Sequence, residues 1–165
     1  MTPAVTMYIA YLLLGGNLGN REENLAAARA AIEAACGPLV AVSALFETEA
    51  WGLKEQPAFL NQAIAVETAM PAETLLETIL QVEQNLGRVR QEKYGPRTID
   101  IDILFYDNQV IDRSHLSVPH PHLHQRRFAL ACLNDIAPAL LHPVLGKSIT
   151  QLLAECPDSS EVHKF

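Results

Sequence analysis

Residues 87–105 read Gly-Arg-Val-Arg-Gln-Glu-Lys-Tyr-Gly-Pro-Arg-Thr-Ile-Asp-Ile-Asp-Ile-Leu-Phe, and the second half of this stretch alternates between acidic and apolar side chains. Asp100 and Asp102 fall on one side of a period-two pattern. The other side is apolar and consists of Ile99, Ile101, Ile103 and Phe105. Successive residues of a strand point to opposite faces of a sheet. The pattern therefore predicts a strand over residues 99–106 with one acidic and one apolar face.

The segments before this strand complete a β-α-β-β-α-β order. Apolar runs and breakers predict strands at residues 8–14, 39–48 and 59–68, and helices at residues 21–36 and 71–86. Asn20 is the expected N-cap of the first helix, and Pro71 lies at or just before the first turn of the second. The two middle strands are joined without a helix, which is typical of an antiparallel pair. The order predicts an α+β protein with a ferredoxin-like core, a mainly antiparallel sheet with helices packed on it.

The remainder of the chain is expected to add smaller elements. Asp107-Asn108 predicts a turn from which residues 109–111 pair back as a hairpin. The run Pro-His-Pro-His-Leu-His at 119–124 is constrained by two prolines and is not expected to be helical. Helices are expected at residues 126–133 and 148–155, and the polar tail from about Pro157 is expected to be loose. Residues 1–165 are interpreted as one domain.

The overall charge argues against two classes of partner. The formal net charge is −7, whereas proteins that bind nucleic acids or anionic membranes usually present a basic face. Cys36, Cys132 and Cys156 match no metal-ligand spacing and are interpreted as buried small hydrophobes in a reducing compartment. The apolar run at residues 5–14 follows no Lys or Arg and is far shorter than the ~20 residues of a membrane-spanning helix. We expect a cytoplasmic protein without nucleic-acid or membrane partners.

Asp100 and Asp102 are candidate metal ligands. Alternate residues of a strand lie ~6.5–7 Å apart on one face, and two carboxylates at that separation repel unless a cation lies between them. Mg²⁺ suits such a site because it keeps waters and takes its remaining ligands from substrate phosphates. Two ions ~3.5–4 Å apart would hold both sides of an in-line displacement. The alternative is that both acids merely form the solvated face of an edge strand.

The loop before the strand supplies the positive charge that a phosphate needs. Arg88, Arg90, Lys93 and Arg97 lie within it, and six of the eight arginines lie between residues 88 and 127. Guanidinium groups match phosphate bidentately, so the loop can close over ATP and bring Arg88 or Arg97 to the charge that develops during transfer. The alternative is a solvated loop whose surface ion pairs contribute little. The basic loop and the acidic strand together favour a metal-bound polyphosphate.

Other candidate groups have two interpretations each. His120, His122 and His124 alternate like zinc ligands, but the interleaved prolines make surface or phosphate-contacting histidines the favoured interpretation. Aromatic residues in or beside loops are core residues in most proteins, yet they also suit stacking against a flat heterocycle. These aromatic residues are Trp51, Phe59 and Phe128. Glu83 is expected on the more polar side of its helix, close to the basic loop.

Several strings of residues resemble the 6-hydroxymethyl-7,8-dihydropterin pyrophosphokinase family of folate biosynthesis, and the resemblance covers nearly the whole chain. The most specific is Tyr-Gly-Pro-Arg-Thr-Ile-Asp-Ile-Asp-Ile-Leu at 94–104. The others are Leu-Gly-Gly-Asn-Leu-Gly-Asn at 14–20, Phe-Leu-Asn-Gln-Ala at 59–63, Gly-Arg-Val-Arg at 87–90 and Val-Pro-His-Pro at 118–121. The resemblance implies transfer of the β,γ-diphosphate of ATP to the pterin's hydroxymethyl oxygen, with release of AMP.

The resemblance also implies roles for individual residues. Asp100 and Asp102 would hold two Mg²⁺ ions. The positions that match contacts to ATP are Glu83, Arg88, Arg90, Arg97, Ile103, His115, His120 and Arg126. The positions that match the pterin pocket are Thr48, Phe59, Asn61 and Phe128. The chain departs from the family at Gly16, where Ser is usual, at Phe59, where Tyr is common, and at Pro121, where an aromatic is frequent.

Two alternatives remain open from the residues alone. One is a different two-metal nucleotidyl or phosphoryl transferase built on the same Asp-x-Asp pair. The other is a non-catalytic ferredoxin-like binding module. We expect the protein to be a monomer whose partners are ATP and 6-hydroxymethyl-7,8-dihydropterin.

Overall fold

A computed structural model of the chain describes residues 5–49, 56–87 and 98–165. The strands are β1 (Tyr8–Gly16), β2 (Leu39–Val42), β3 (Phe46–Thr48), β4 (Phe59–Thr68), β5 (Asp100–Tyr106), β6 (Ile111–Asp112), β7 (Ser117–Val118) and β8 (Val162–Lys164). The helices are α1 (Arg21–Cys36), α2 (Ala72–Asn85), α3 (Arg127–Ile136) and α4 (Ile149–Ala154), with a 3₁₀ turn at Leu123–Gln125. Within the described residues, no helix has the length and apolar character needed to cross a membrane.

The main sheet has the strand order β5-β1-β4-β3-β8, and β2 also pairs with β4. Every pairing in it is antiparallel. This arrangement confirms the predicted ferredoxin-like core, in which the first and last strands of the β-α-β-β-α-β order lie side by side. Among the strands of the described residues, β5, which carries the two aspartates, pairs only with β1 and forms an edge of the sheet.

Each face of the sheet is covered by a pair of helices. On one face the apolar sides of α1 and α2 bury Leu12, Leu14, Ile64 and Ile101. On the other face α3 and α4 bury Leu13, Ala63, Leu104 and Phe105. Neighbouring residues of β1 and β4 alternate between the two cores, as expected for strands covered on both sides.

The helix ends confirm the capping expected from the sequence. Asn20 accepts a hydrogen bond from the Glu23 backbone N–H at 3.1 Å, which satisfies a free donor in the first turn of α1. α1 ends at Gly37, whose φ of 143° favours glycine. Pro71 precedes α2 as its N-cap. Ser148 caps α4 and forms a capping box with Gln151.

The strand predicted over residues 39–48 is in fact two strands. Ser43 lies between them and replaces part of the regular ladder with side-chain bonds. Its hydroxyl donates to the Ala44 carbonyl and accepts from the Ala63 N–H at 2.9 Å. Its carbonyl accepts from Gln62 Nε2 at 2.7 Å. Both halves still pair with β4, so the interruption leaves the topology unchanged.

The predicted alternation of the acidic strand is wrong at its C-terminal end. Tyr11 is level with Phe105 and Leu12 with Ile103, so Leu104 is an extra residue in β5. A β-bulge of this kind reverses the alternation. Phe105 consequently lies in the α3/α4 core and not beside Ile101 and Ile103.

Two further expectations are corrected. The turn at Asp107-Asn108 is confirmed, but residues 109–111 do not pair back on the acidic strand, since β6 pairs with β7. The tail from about Pro157 is not loose, because β8 pairs with β3 and extends the main sheet. A run of mixed polar residues gave no strand signal, and the pairing depends on an edge that only the fold provides.

Candidate active site

Asp100 and Asp102 lie on one face of the edge strand, as predicted. Asp102 is level with Leu13, and Asp100 with Gly15. Residues that are level on neighbouring strands share a face, and Leu13 packs in the α3/α4 core. Both carboxylates therefore point to the α3/α4 side of the sheet, and both are partly buried.

Glu83 occupies a different environment from the predicted one. Only 2% of its surface is exposed, so it lies on the buried side of α2 and not on the polar side. Its Oε2 accepts a hydrogen bond from the Ile101 N–H at 2.8 Å. Ile101 separates the two aspartates, so Glu83 fixes the outer edge of β5 at the point where the candidate metal ligands lie.

Gly15 lies between the aspartates and the residues assigned to the pterin. The strand register places Asp100, Gly15, Asn61 and Phe46 level with one another on β5, β1, β4 and β3. Neighbouring strands are ~4.8 Å apart, so Asp100 and Asn61 are separated by roughly 10 Å across the sheet. A Cβ on Gly15 would lie 2.9 Å from Asn61 Oδ1. Gly15 is itself buried, and its missing side chain leaves the space that the Asn61 side chain occupies.

The four residues assigned to the pterin are brought to the same face. Thr48 is level with Phe59, and Phe46 with Asn61, so all of them share the face of the aspartates. Thr48 and Asn61 are 4% and 3% exposed, and Asn61 Nδ2 donates to the Phe46 carbonyl at 3.4 Å. Phe128, in the first turn of α3, packs against the core on this face. We call Thr48, Phe59, Asn61 and Phe128 the acceptor residues.

Asn17 lies in the loop that joins β1 to α1. It is 2% exposed, and its Nδ2 donates to Gln56 Oε1 and to the Pro57 carbonyl, both at 2.9 Å. These bonds hold the start of the segment that leads into Phe59. No local pattern reveals this role, because the partners lie about 40 residues away in the chain.

His120 and Arg126 border the aspartates. The His120 N–H donates to the Leu104 carbonyl at 3.0 Å, which fixes the histidine beside the outer edge of β5. Burial is the main cause that lowers the pKa of His120 to about 4; the charges of Arg126 and His122 act in the same direction, and Asp100 opposes the shift. The imidazole is therefore neutral at pH 7 and available as a hydrogen-bonding group.

Two other positions assigned to ATP lie in different surroundings. His115 Nε2 is 3.8 Å from Glu73 Oε1 in the first turn of α2, and Arg113 forms an ion pair with the same carboxylate. Ile103 is 6% exposed and its side chain packs in the α1/α2 core. Any contact of Ile103 with a nucleotide has to come from its backbone at the strand edge.

The predicted basic loop lies outside the described residues. This applies to its cationic residues Arg88, Arg90, Lys93 and Arg97, and also to Trp51. Among the residues that the structure does describe, no group of three or more His, Cys, Asp or Glu side chains could hold a metal ion. His120, His122 and His124 therefore do not form such a group. Asp100 and Asp102 fit Mg²⁺ as a pair of oxygen donors, since this ion is commonly held by one or two carboxylates plus substrate phosphates.

Comparisons with known proteins agree on one family. The family model described as 7,8-dihydro-6-hydroxymethylpterin-pyrophosphokinase (HPPK) matches residues 11–138. A protein of Methylorubrum extorquens named 2-amino-4-hydroxy-6-hydroxymethyldihydropteridine pyrophosphokinase is 40% identical over 151 residues, which cover 91% of this chain and 94% of that protein. A Pseudomonas aeruginosa protein of the same name is 40% identical over 148 residues, covering 89% of this chain and 91% of the other.

A solved structure shows the same fold. The crystal structure of a Plasmodium falciparum HPPK-DHPS triple mutant superimposes with a TM-score of 0.76 at 19% identity. The match covers 93% of this chain but 44% of that one, so the chain spans less than half the length of this solved relative. The residues matched by the family model include the described residues of the site from Gly15 to Phe128. The chain belongs to the 7,8-dihydro-6-hydroxymethylpterin-pyrophosphokinase family.

Proposed function

We propose that this chain transfers the β,γ-diphosphate of ATP to the hydroxymethyl oxygen of 6-hydroxymethyl-7,8-dihydropterin and releases AMP. Membership of the family makes it an ATP-dependent diphosphotransferase of folate synthesis. We expect it to act as a cytoplasmic monomer.

The observation that carries the proposal is the level row of Asp100, Gly15 and Asn61. A flat acceptor held at Asn61 would have its hydroxymethyl arm on the side of the sheet that carries the aspartates. Asp100 and Asn61 are roughly 10 Å apart across the sheet, so an acceptor at Asn61 and phosphates at the metal ligands would be neighbours. In-line transfer needs this alignment of acceptor oxygen, β-phosphorus and leaving oxygen.

Asp100 and Asp102 would hold two Mg²⁺ ions together with the phosphates of ATP. The bound ions supply charge neutralisation of the phosphates and orientation of the transferred group. Glu83 acts through the backbone by keeping the Ile101 N–H in place, so that the two carboxylates stay at a constant spacing. His120 is neutral and can hydrogen-bond a phosphate oxygen without requiring protonation.

The acceptor residues have separate tasks. Phe59 and Phe128 offer aromatic faces for stacking against the pterin ring. Asn61 and Thr48 are buried polar groups that can read the ring's donors and acceptors, and a ligand lacking the matching groups would leave them unpaired. Arg88, Arg90, Arg97 and Arg126 are assigned to the charge of the triphosphate.

Product analysis tests the proposal directly. ATP, Mg²⁺ and hydroxymethyldihydropterin should give AMP and the diphosphorylated pterin in equal amounts, with no AMP when the pterin is omitted. ADP or free pyrophosphate as the main product would instead favour another phosphoryl or nucleotidyl transferase. Asp100→Ala and Asp102→Ala should each fold and lose nearly all turnover, and full activity in either variant would contradict the metal assignment.

A further inference from the structure

Residues 157–165 contact α3 and β3, which each carry one of the acceptor residues. This segment leaves α4, passes the start of α3 and ends in β8, which pairs with β3. Phe128 is carried by α3 and Thr48 by β3. The segment therefore joins two elements that are far apart in the chain and that each carry an acceptor residue.

At the α3 end the contact is made by Asp158. Its Oδ2 accepts from the Arg127 N–H at 3.1 Å, and its carbonyl accepts from Arg127 Nε at 2.7 Å. The residue that precedes α3, Arg126, provides no side-chain cap. Asp158, which is 31 residues away in the chain, thus supplies the acceptor that the first turn of α3 lacks. Its negative charge also interacts favourably with the helix N-terminus. Phe128 is the next residue of that turn.

The carboxylate of Asp158 is itself held in place. The Ser160 N–H donates to its Oδ1 at 2.9 Å, and the Ser160 hydroxyl donates to the same oxygen. Burial alone would raise the pKa of Asp158. The hydrogen bonds from Ser160 and Arg127, with the charge of Arg127, outweigh burial and lower that pKa below its usual value.

At the β3 end the contact is made through the backbone. Thr48 Oγ1 donates to the Glu161 carbonyl at 3.4 Å, and Thr48 is level with Val162 of β8. The Phe165 N–H donates to the Leu45 carbonyl at 2.8 Å, and the Arg21 guanidinium lies 5.6 Å from the centre of the Phe165 ring. These contacts fix the outer edge of β3, whose inner edge pairs with Phe59 and Asn61.

We propose that residues 157–165 form a clasp that positions the acceptor residues, with Asp158 as its central positioning residue. The clasp sets the first turn of α3 relative to β3 and thereby the separation of Phe128 from Thr48. Stacking on a flat ring requires a defined separation, and displacements of about 1 Å at a binding site have large effects on reactivity. The inference rests on the proposed function for the identity of the ligand, whereas the contacts themselves do not depend on it.

Binding without turnover tests the clasp. The probe is 6-hydroxymethyldihydropterin, titrated by calorimetry in the presence of Mg²⁺ and α,β-methylene-ATP. The methylene link between the α- and β-phosphorus atoms of this analogue cannot be cleaved, so no diphosphate is transferred. In Asp158→Ala the Kd for the pterin should rise roughly tenfold, because a charged hydrogen bond is lost. The Kd for α,β-methylene-ATP should change by less than about twofold. Asp158→Asn, which keeps an acceptor oxygen, should restore most of the pterin affinity.

A matched control is available in the same part of the chain. Lys147 Nζ and Glu155 Oε2 form an ion pair at 2.6 Å. Neither residue takes part in the contacts of the clasp given above. Glu155→Ala should leave both dissociation constants unchanged. If Asp158→Ala does not fold, Arg127→Gln removes the bonds to the Asp158 and Cys156 carbonyls and leaves the backbone donor. It should weaken pterin binding in the same direction by a smaller factor.

The outcomes separate this inference from the proposed function. A wild-type protein that neither binds the pterin nor forms AMP contradicts the proposed function. If the wild-type protein binds the pterin and Asp158→Ala binds it equally well, the clasp is contradicted and the proposed function is not. Equal weakening of pterin and nucleotide binding would also contradict the clasp, because it would indicate general loosening of the fold.

Discussion

At the scale of single residues, a steric contact explains why position 15 is a glycine. It lies in a regular part of β1, and its glycine identity is explained by Asn61 Oδ1, which a Cβ would approach to 2.9 Å. We predict that Gly15→Ala folds but raises the KM for the pterin roughly tenfold, because Asn61 has to move. The overpacking should lower the free energy of unfolding by about 1–3 kcal/mol.

Gly37→Ala serves as the contrasting variant. There a Cβ would lie 2.1 Å from the Glu67 carbonyl oxygen, and the φ of 143° is unfavourable for any other residue. This substitution should destabilise the whole protein without a selective effect on the pterin. Steady-state kinetics of both variants measure the KM for the pterin, and thermal unfolding measures their stability. A Gly15→Ala enzyme with unchanged KM would show that acceptor binding does not depend on the position of Asn61.

His120 gives a prediction about protonation. Burial lowers its pKa to about 4, with Arg126 and His122 acting in the same direction. In the ligand-free protein its imidazole should stay neutral down to about pH 5, as followed by NMR titration of the ring protons. Arg126→Ala should raise this pKa because it removes a nearby positive charge. Titration of wild-type His120 near 6.5 would contradict the arrangement of these groups.

At the scale of elements, Glu83 links α2 to β5. Glu83→Ala should lower the free energy of unfolding by about 1–3 kcal/mol, because the Ile101 N–H would lose its acceptor while remaining buried. Glu83→Gln keeps an acceptor oxygen and should stay within about 1 kcal/mol of the wild type. Urea denaturation measures both. Equal destabilisation by the two substitutions would mean that the position requires the charge and not the hydrogen bond.

The elements also show what a sequence can and cannot predict. The strand and helix order was predictable because periodicity is a local signal, and Asp100 and Asp102 were predictable because their spacing in a strand defines a shared face. The bulge at Leu104 was not, since the apolar pattern continues through it. The roles of Gly15 and Asn17 depend on register and contacts between strands and loops distant in the chain. Such contacts exist only once the sheet has formed.

At the scale of the whole molecule, three titrating groups predict how stability depends on pH. Burial lowers the pKa of His120 to about 4 and also lowers that of His142, where His124 adds to the effect. Both histidines bind protons more readily when unfolded, where the ordinary value is 6.5. Their contribution to stability is therefore complete above pH 6.5 and is lost as the pH falls toward the lower pKa of each folded histidine, which is about 4 for His120.

Asp158 affects stability in a lower pH range than the two histidines. Its folded pKa lies below the ordinary value of 3.8, since the Ser160 and Arg127 interactions outweigh burial. Its contribution is present above pH 3.8 and is lost as the pH falls through the lower folded value. The melting temperature should thus decrease on acidification in two successive stages. His120→Asn should flatten the stage between pH 6.5 and 4, and Asp158→Asn the stage below it. A melting temperature that is constant from pH 7 to 4 would contradict the buried, neutral state of the histidines.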